Sequence, residues 1–116
     1  MDASPRLHVP PLVKEHLDAF VGGLRSRFGA RLRSVRLFGS YARGEAHEES
    51  DVDCLVLLDR VDRADDHAVT DLAADLTWQI GGVVISPLTM SEEAFEAWKA
   101  TERRTPLEID REGIPL

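Results

Sequence analysis

The chain has 116 residues, a net charge of −7, 43% hydrophobic and 30% charged side chains, which fits one domain over residues 1–116 large enough for a core of its own. No apolar run approaches the roughly 20 residues of a membrane span, and the acidity argues against a broad nucleic-acid-binding surface, which needs clustered cations. Cys54 is the only cysteine, so no intrachain disulfide forms, and the opening Met1–Arg6 stretch lacks the basic and apolar regions of a secretory signal. The cytoplasm is the expected compartment.

Residues 1–10 read as a loose leader. Leu12, Leu17, Phe20, Val21, Leu24 and Phe28 form an apolar stripe at helical spacing, which predicts a helix over Pro11–Phe28 with Gly29 at its C-terminal end. Arg33–Phe38 alternates as a strand until Phe38. Gly39-Ser40 makes a turn, with Ser40 as N-cap of a short helix over Tyr41–Arg43. Residues 44–50 form a polar loop. Val52–Leu58 is apolar on both faces and so predicts a central strand, with Cys54 inside it.

A second long helix is expected over Arg63–Ile80, with Val69, Leu72, Ala73, Leu76 and Ile80 inward, ended by Gly81-Gly82. Val83–Leu88 predicts a third strand, at whose end or edge Pro87 would sit. Ser91 caps a helix carrying Phe95 and Trp98. Thr105-Pro106-Leu107-Glu108 has the form of a capping box, opening a helix that ends at Gly113. Trp78 and Trp98 are read as core residues. The four histidines, His8, His16, His47 and His67, show no metal-ligand spacing and are read as surface residues, and Asp65-Asp66 and Glu48-Glu49 as solvated faces.

Charge is unevenly placed. Residues 1–45 hold eight Lys/Arg and four Asp/Glu, a balance of +4, and residues 46–116 hold six and seventeen, a balance of −11. Arg25, Arg27, Arg31, Arg33 and Arg36 cluster ahead of the Gly-Ser turn. They are either a solvated helix end and strand face or an attraction for a triphosphate or an acidic partner.

The chemistry concentrates between residues 37 and 58. Asp51 and Asp53 are two apart, so on a strand they project to one face with Cα atoms roughly 6.6 Å apart. Both could reach one Mg2+ ion or share a pair, since magnesium keeps waters and substrate phosphates in its shell and needs few protein carboxylates. Gly39 lets the backbone approach a ligand, Ser40 offers a hydroxyl and an N–H to a phosphate, and Arg43 is the nearest fixed cation. A strand, a phosphate turn and two carboxylates opening a buried strand together make a candidate site for magnesium and a nucleoside triphosphate, with ATP as the substrate to expect: Gly39, Ser40 and Arg43 for the nucleotide, Asp51 and Asp53 for metal and catalysis.

At these residues the chain resembles the minimal nucleotidyltransferases of the DNA polymerase β superfamily, whose signature is Gly-Ser, about ten residues, then Asp-x-Asp. Tyr41-Ala42-Arg43-Gly44 and Ser50 also resemble the family's wording. The resemblance implies an α/β (α+β) fold, a small mixed β-sheet flanked by helices, and transfer of a nucleoside monophosphate from a triphosphate with release of pyrophosphate. It also implies pairing with a HEPN-domain toxin, for which such proteins serve as antitoxin, in some cases by adding AMP to a tyrosine of the partner.

One departure stands out. The family's catalytic members carry a third carboxylate on a later strand, and Gly82–Leu88 contains no acid; Val84 or Ser86 occupies its place. Three functions follow. The first is AMP transfer to a protein acceptor. The second is a catalytically weak or inactive module that neutralises its partner by binding. The third is transfer to a small molecule such as an aminoglycoside, for which so short a chain would have to act as a homo-oligomer.

Overall fold

The computed structural model describes residues 7–47, 49–102 and 104–116. Its elements, in chain order, are α1 (Pro11–Phe28), β1 (Leu32–Phe38), α2 (Ser40–Arg43), β2 (Val52–Leu58), α3 (Arg63–Gln79), β3 (Ile85–Ser91), α4 (Glu92–Thr101), α5 (Thr105–Glu112) and β4 (Ile114–Pro115), with a single 3-10 turn at Gly29–Arg31 between α1 and β1. The leader residues 1–6 lie outside the described part. Leu7 and Val9 pack against the core.

The four strands form one mixed sheet in the order β3-β2-β1-β4. β1 runs antiparallel to β2 and to β4, and β2 runs parallel to β3. β2 is central, as its two-sided apolar pattern requires. Its even-numbered residues Val52, Cys54, Val56 and Leu58 face α1 and α3 in the main core, with Val13, Leu17, Phe20, Leu24, Val69, Ala73 and Leu76. Its odd-numbered residues Leu55 and Leu57 face a second core with Phe95 and Ile109, against which Phe38, Leu88, Met90 and Trp98 pack. The mixed sheet with helices on both faces agrees with the architecture implied by the sequence.

Several local expectations change. β3 spans Ile85–Ser91 rather than Val83–Leu88. Val52 donates its N–H to the Val84 carbonyl at 2.9 Å, and from there Val52 pairs with Ile85 and Leu58 with Ser91. That pairing turns the even-numbered amides of β3 toward β2, so the missing N–H of Pro87 falls on the free edge, the position a sheet tolerates. The box at Thr105 does not form: Arg104 is the N-cap of α5, without a side-chain cap. A capping box is built instead at α3. The Asp65 N–H donates to Asp62 Oδ1 at 2.8 Å, and the Asp62 N–H donates to Asp65 Oδ2 at 3.1 Å.

Asp65 is therefore not a solvated charge. It is 6% exposed and receives a two-pronged contact from Arg31, Nη1 to Oδ1 at 3.0 Å and Nη2 to Oδ2 at 2.7 Å. Arg31 Nε also donates to Asp59 Oδ1 at 3.0 Å. The guanidinium thus ties the end of β2 to the start of α3, and it holds the Asp65 carboxyl down at about 2. Arg33 pairs with Glu92 at 3.5 Å and Arg36 with Asp110 at 3.1 Å, so this part of the arginine cluster serves the fold. His16, expected on the surface, is fully buried, with Nε2 2.9 Å from the Gly81 carbonyl. Trp78, expected in the core, is 89% exposed. It lies two residues beyond Leu76, roughly 200° around the helix from the inward stripe.

Candidate active site

The site assembles where three strand ends meet. Antiparallel pairing sets the last residue of β1, Phe38, opposite Asp53. Parallel pairing sets Ser86 beside Asp53 on the other side. Asp53 continues the row of Leu57 and Leu55 outward, on the sheet face that carries α4 and α5 further along. Asp51, just ahead of β2, shares that side by alternation. Asp51 is exposed and Asp53 half-buried.

Gly39 follows Phe38 with φ +76° and ψ −154°, a backbone conformation that side chains with a Cβ rarely adopt. Its bare Cα lies against the Asp53 carboxylate, where a Cβ would overlap Oδ2. The Gly-Ser turn and the Asp-x-Asp pair, ten residues apart in the chain, thus meet directly. Gly39 rather than Ser40 is the N-cap of α2, and no side chain caps it. Ser40 is the first helical residue. The first-turn N–H groups of a helix have no intrahelical acceptor, which leaves those of Ser40 and Tyr41 for another partner.

Arg43 closes the same short helix. Its Nε donates to Glu45 Oε2 at 3.1 Å, a bond that raises its pKa further. It remains close enough for its charge to bear on Asp53. Tyr41 packs partly against the main core. Arg43 and Tyr41 also line a cleft of about 190 Å³ with His8 and Ile114.

The Asp53 carboxyl is pushed up from its ordinary value, first by burial and then by the Asp51 charge, with Arg43 opposing. Among the described residues neither aspartate forms a salt bridge. No group of three or more metal-ligating side chains occurs there either. Two hard oxygen donors lacking a cation partner beside a Cβ-free turn suit a magnesium ion whose remaining shell is phosphate oxygen and water. Asp51 and Asp53 would hold it.

The structure thus brings Gly39, Ser40, Asp51 and Asp53 to one end of the sheet, with Arg43 one helical turn away. Sequence reading left the third-carboxylate position between Val84 and Ser86; the pairing selects Ser86, an exposed residue in register with Asp53. β3 carries no acid.

The nucleotidyltransferase domain family model matches residues 17–107. The chain is 43% identical over 79 residues to "Putative protein adenylyltransferase MJ0604" of Methanocaldococcus jannaschii, covering 68% of this chain and 74% of that protein. It is 52% identical over 44 residues to "Protein adenylyltransferase MntA" of Thermococcus cleftensis, covering 38% of this chain and 42% of that one. Among solved structures, a "putative minimal nucleotidyltransferase" superposes with a TM-score of 0.59 at 31% identity, covering 90% of this chain and 92% of the other. A toxin–antitoxin complex with AMP-PNP shares the fold, with a TM-score of 0.55 at 22% identity over 83% of this chain and 68% of that one. The chain belongs to the nucleotidyltransferase domain family.

Proposed function

We propose that this protein binds Mg–ATP at Gly39, Ser40, Arg43, Asp51 and Asp53 and transfers AMP to a hydroxyl of a partner protein. The observation that carries the reading is the contact between the Gly39 backbone and the Asp53 carboxylate, which joins the phosphate turn to the metal ligands. Relatives named as protein adenylyltransferases favour AMP over other groups and a protein over a small acceptor. The fold neighbour from a toxin–antitoxin complex favours a toxin as that protein, and the HEPN class implied by the sequence resemblance is the one to test first.

In this reading the turn and the amides of Ser40 and Tyr41 cradle the phosphates, while Arg43 leaves Glu45 to meet one of them. Asp51 and Asp53 fix the cation-bound triphosphate against the sheet end. Bound magnesium neutralises charge that builds on the phosphates in the transition state. The acceptor oxygen bonds to the α-phosphorus as the bond to the bridging oxygen of pyrophosphate breaks; pyrophosphate leaves and the hydroxyl proton passes to water. Ser86 beside Asp53 favours a second reading, in which chemistry is slow and the chain restrains its partner mainly by binding.

Radiolabel from α-labelled ATP decides between them. Label on a co-purified HEPN partner, lost with Asp53→Asn, supports transfer. Equal inhibition of the partner by wild type and by the Asp51→Asn/Asp53→Asn variant, without label, supports binding alone.

A further inference from the structure

Among the described residues Trp78 is the most exposed large hydrophobic side chain, 89% exposed on α3. A covered tryptophan removes 150–250 Å² from water, so an exposed one forgoes a large gain. Val84, ahead of β3, is 51% exposed. Between them, along the free edge of the sheet, runs a groove of about 270 Å³ lined by Ala73, Thr77, Trp78, Val84, Ile85 and Pro87.

Two features define what fits there. Pro87 removes an N–H from the free edge of β3, which obstructs strand addition, so the occupant docks by side chains rather than by extending the sheet. The surroundings are acidic. Asp71, Asp75 and Trp78 follow one another at spacings of four and three along one side of α3, and both aspartates are exposed. Two copies of this face repel each other. A basic segment is attracted, its Lys or Arg stems lie on apolar surface, and its cationic heads meet the indole face and the carboxylates.

The groove lies on the α3 face of the edge strand whose other face borders the candidate active site. Ile85 and Pro87 line it, and Ser86 between them is in register with Asp53. Ser86 turns by alternation to the opposite sheet face, with Asp53, so a chain gripped at Trp78 and Val84 reaches the carboxylates by crossing the β3 edge. We infer that the α3–β3 groove docks a basic segment of the protein that supplies the AMP acceptor, an inference resting on the protein-acceptor reading above.

The probes are an array of short synthetic peptides, each with one aromatic or leucine anchor flanked by Lys and Arg, and matched peptides with Glu in place of the cations. In a Trp98→Phe background Trp78 is the sole tryptophan and reports docking by its fluorescence. Basic peptides are expected to shift its emission saturably and to weaken with salt. Asp71→Asn/Asp75→Asn lowers affinity about fivefold, and Trp78→Ala, read by peptide anisotropy, lowers it at least about tenfold. Trp78 is exposed, so that variant folds. Silence from every basic peptide, equal binding of the glutamate set, or affinity unchanged in these variants overturns the inference. So does a concentration-dependent dimer that Trp78→Ala dissolves, which would give the face to a second copy. Mg–ATP titration of Trp78→Ala keeps the two proposals apart: wild-type nucleotide binding with lost peptide binding assigns the groove to docking, and nucleotide binding absent from wild type too sinks the functional reading alone.

Discussion

Gly39 and Asp53 touch: the Cα of one lies where any side chain would collide with the carboxylate of the other. The conformation at Gly39, φ +76°, adds a second reason for glycine. Gly39→Ala is expected to lower stability by about 1–2 kcal/mol through backbone strain. It should also displace the Asp53 carboxylate, weakening Mg–ATP binding at least about tenfold, roughly 1.4 kcal/mol. Chemical denaturation and calorimetry measure the two effects; wild-type nucleotide affinity in the variant would separate the turn from the metal site.

Asp53 is held at a cost to the fold. Its carboxyl is raised by burial and by Asp51, so the native state keeps this proton more tightly than the unfolded chain does. The stability it confers is present below the ordinary carboxylate value and is lost as pH rises through the raised one. At neutral pH the charged group is therefore a net burden without metal. Asp53→Asn should raise the metal-free Tm at pH 7 by about 1–3 °C, and the gain should vanish near pH 3. A fall in Tm at pH 7 would mean that the carboxylate stabilises the fold.

The Arg31–Asp65 pair runs with the opposite sign. The guanidinium holds the Asp65 carboxyl at about 2 against an ordinary 3.8. Its stabilisation is present above the ordinary value and is lost as pH falls toward 2. Arg31→Met should cost on the order of 2 kcal/mol at pH 7, since it leaves the buried carboxylate short of its charged partner. Its acid unfolding curve should be shallower than wild type between pH 4 and 2. Parallel curves would show that Asp65 does not draw its low pKa from Arg31.

Ser86 stands beside Asp53 on the strand where the family resemblance implies a third acid. Because Ser86 is exposed, an acid there is tolerated. Ser86→Asp is expected to raise the rate of AMP transfer at least about tenfold, with Mg–ATP affinity little changed. A rate no higher than wild type would show that this position does not limit the chemistry.

The sequence exposed those features whose causes are local. Gly39, Asp51 and Asp53 were legible because a turn glycine and an i, i+2 carboxylate pair are read over a few residues, and β2 because a strand apolar on both faces must lie inside a sheet. What escaped depends on distant partners. The burial of Asp65 follows from Arg31, 34 residues earlier, and that of His16 from the Gly81 carbonyl, 65 residues later. β3 begins two residues late because pairing with Val52, not the apolar Val83-Val84, sets its register. Two-residue β4 is too short to carry a pattern. The cap at Asp62 was a missed local signal, an aspartate followed three residues on by Asp65 rather than by the Glu or Gln of the usual box.

The most direct test is a calorimetric titration of Mg–ATP into the wild-type protein and into Asp51→Asn/Asp53→Asn. The proposed site predicts saturable, magnesium-dependent binding by the wild type that the double variant loses. Binding retained in the variant, or absent from wild type at millimolar ATP, would contradict it.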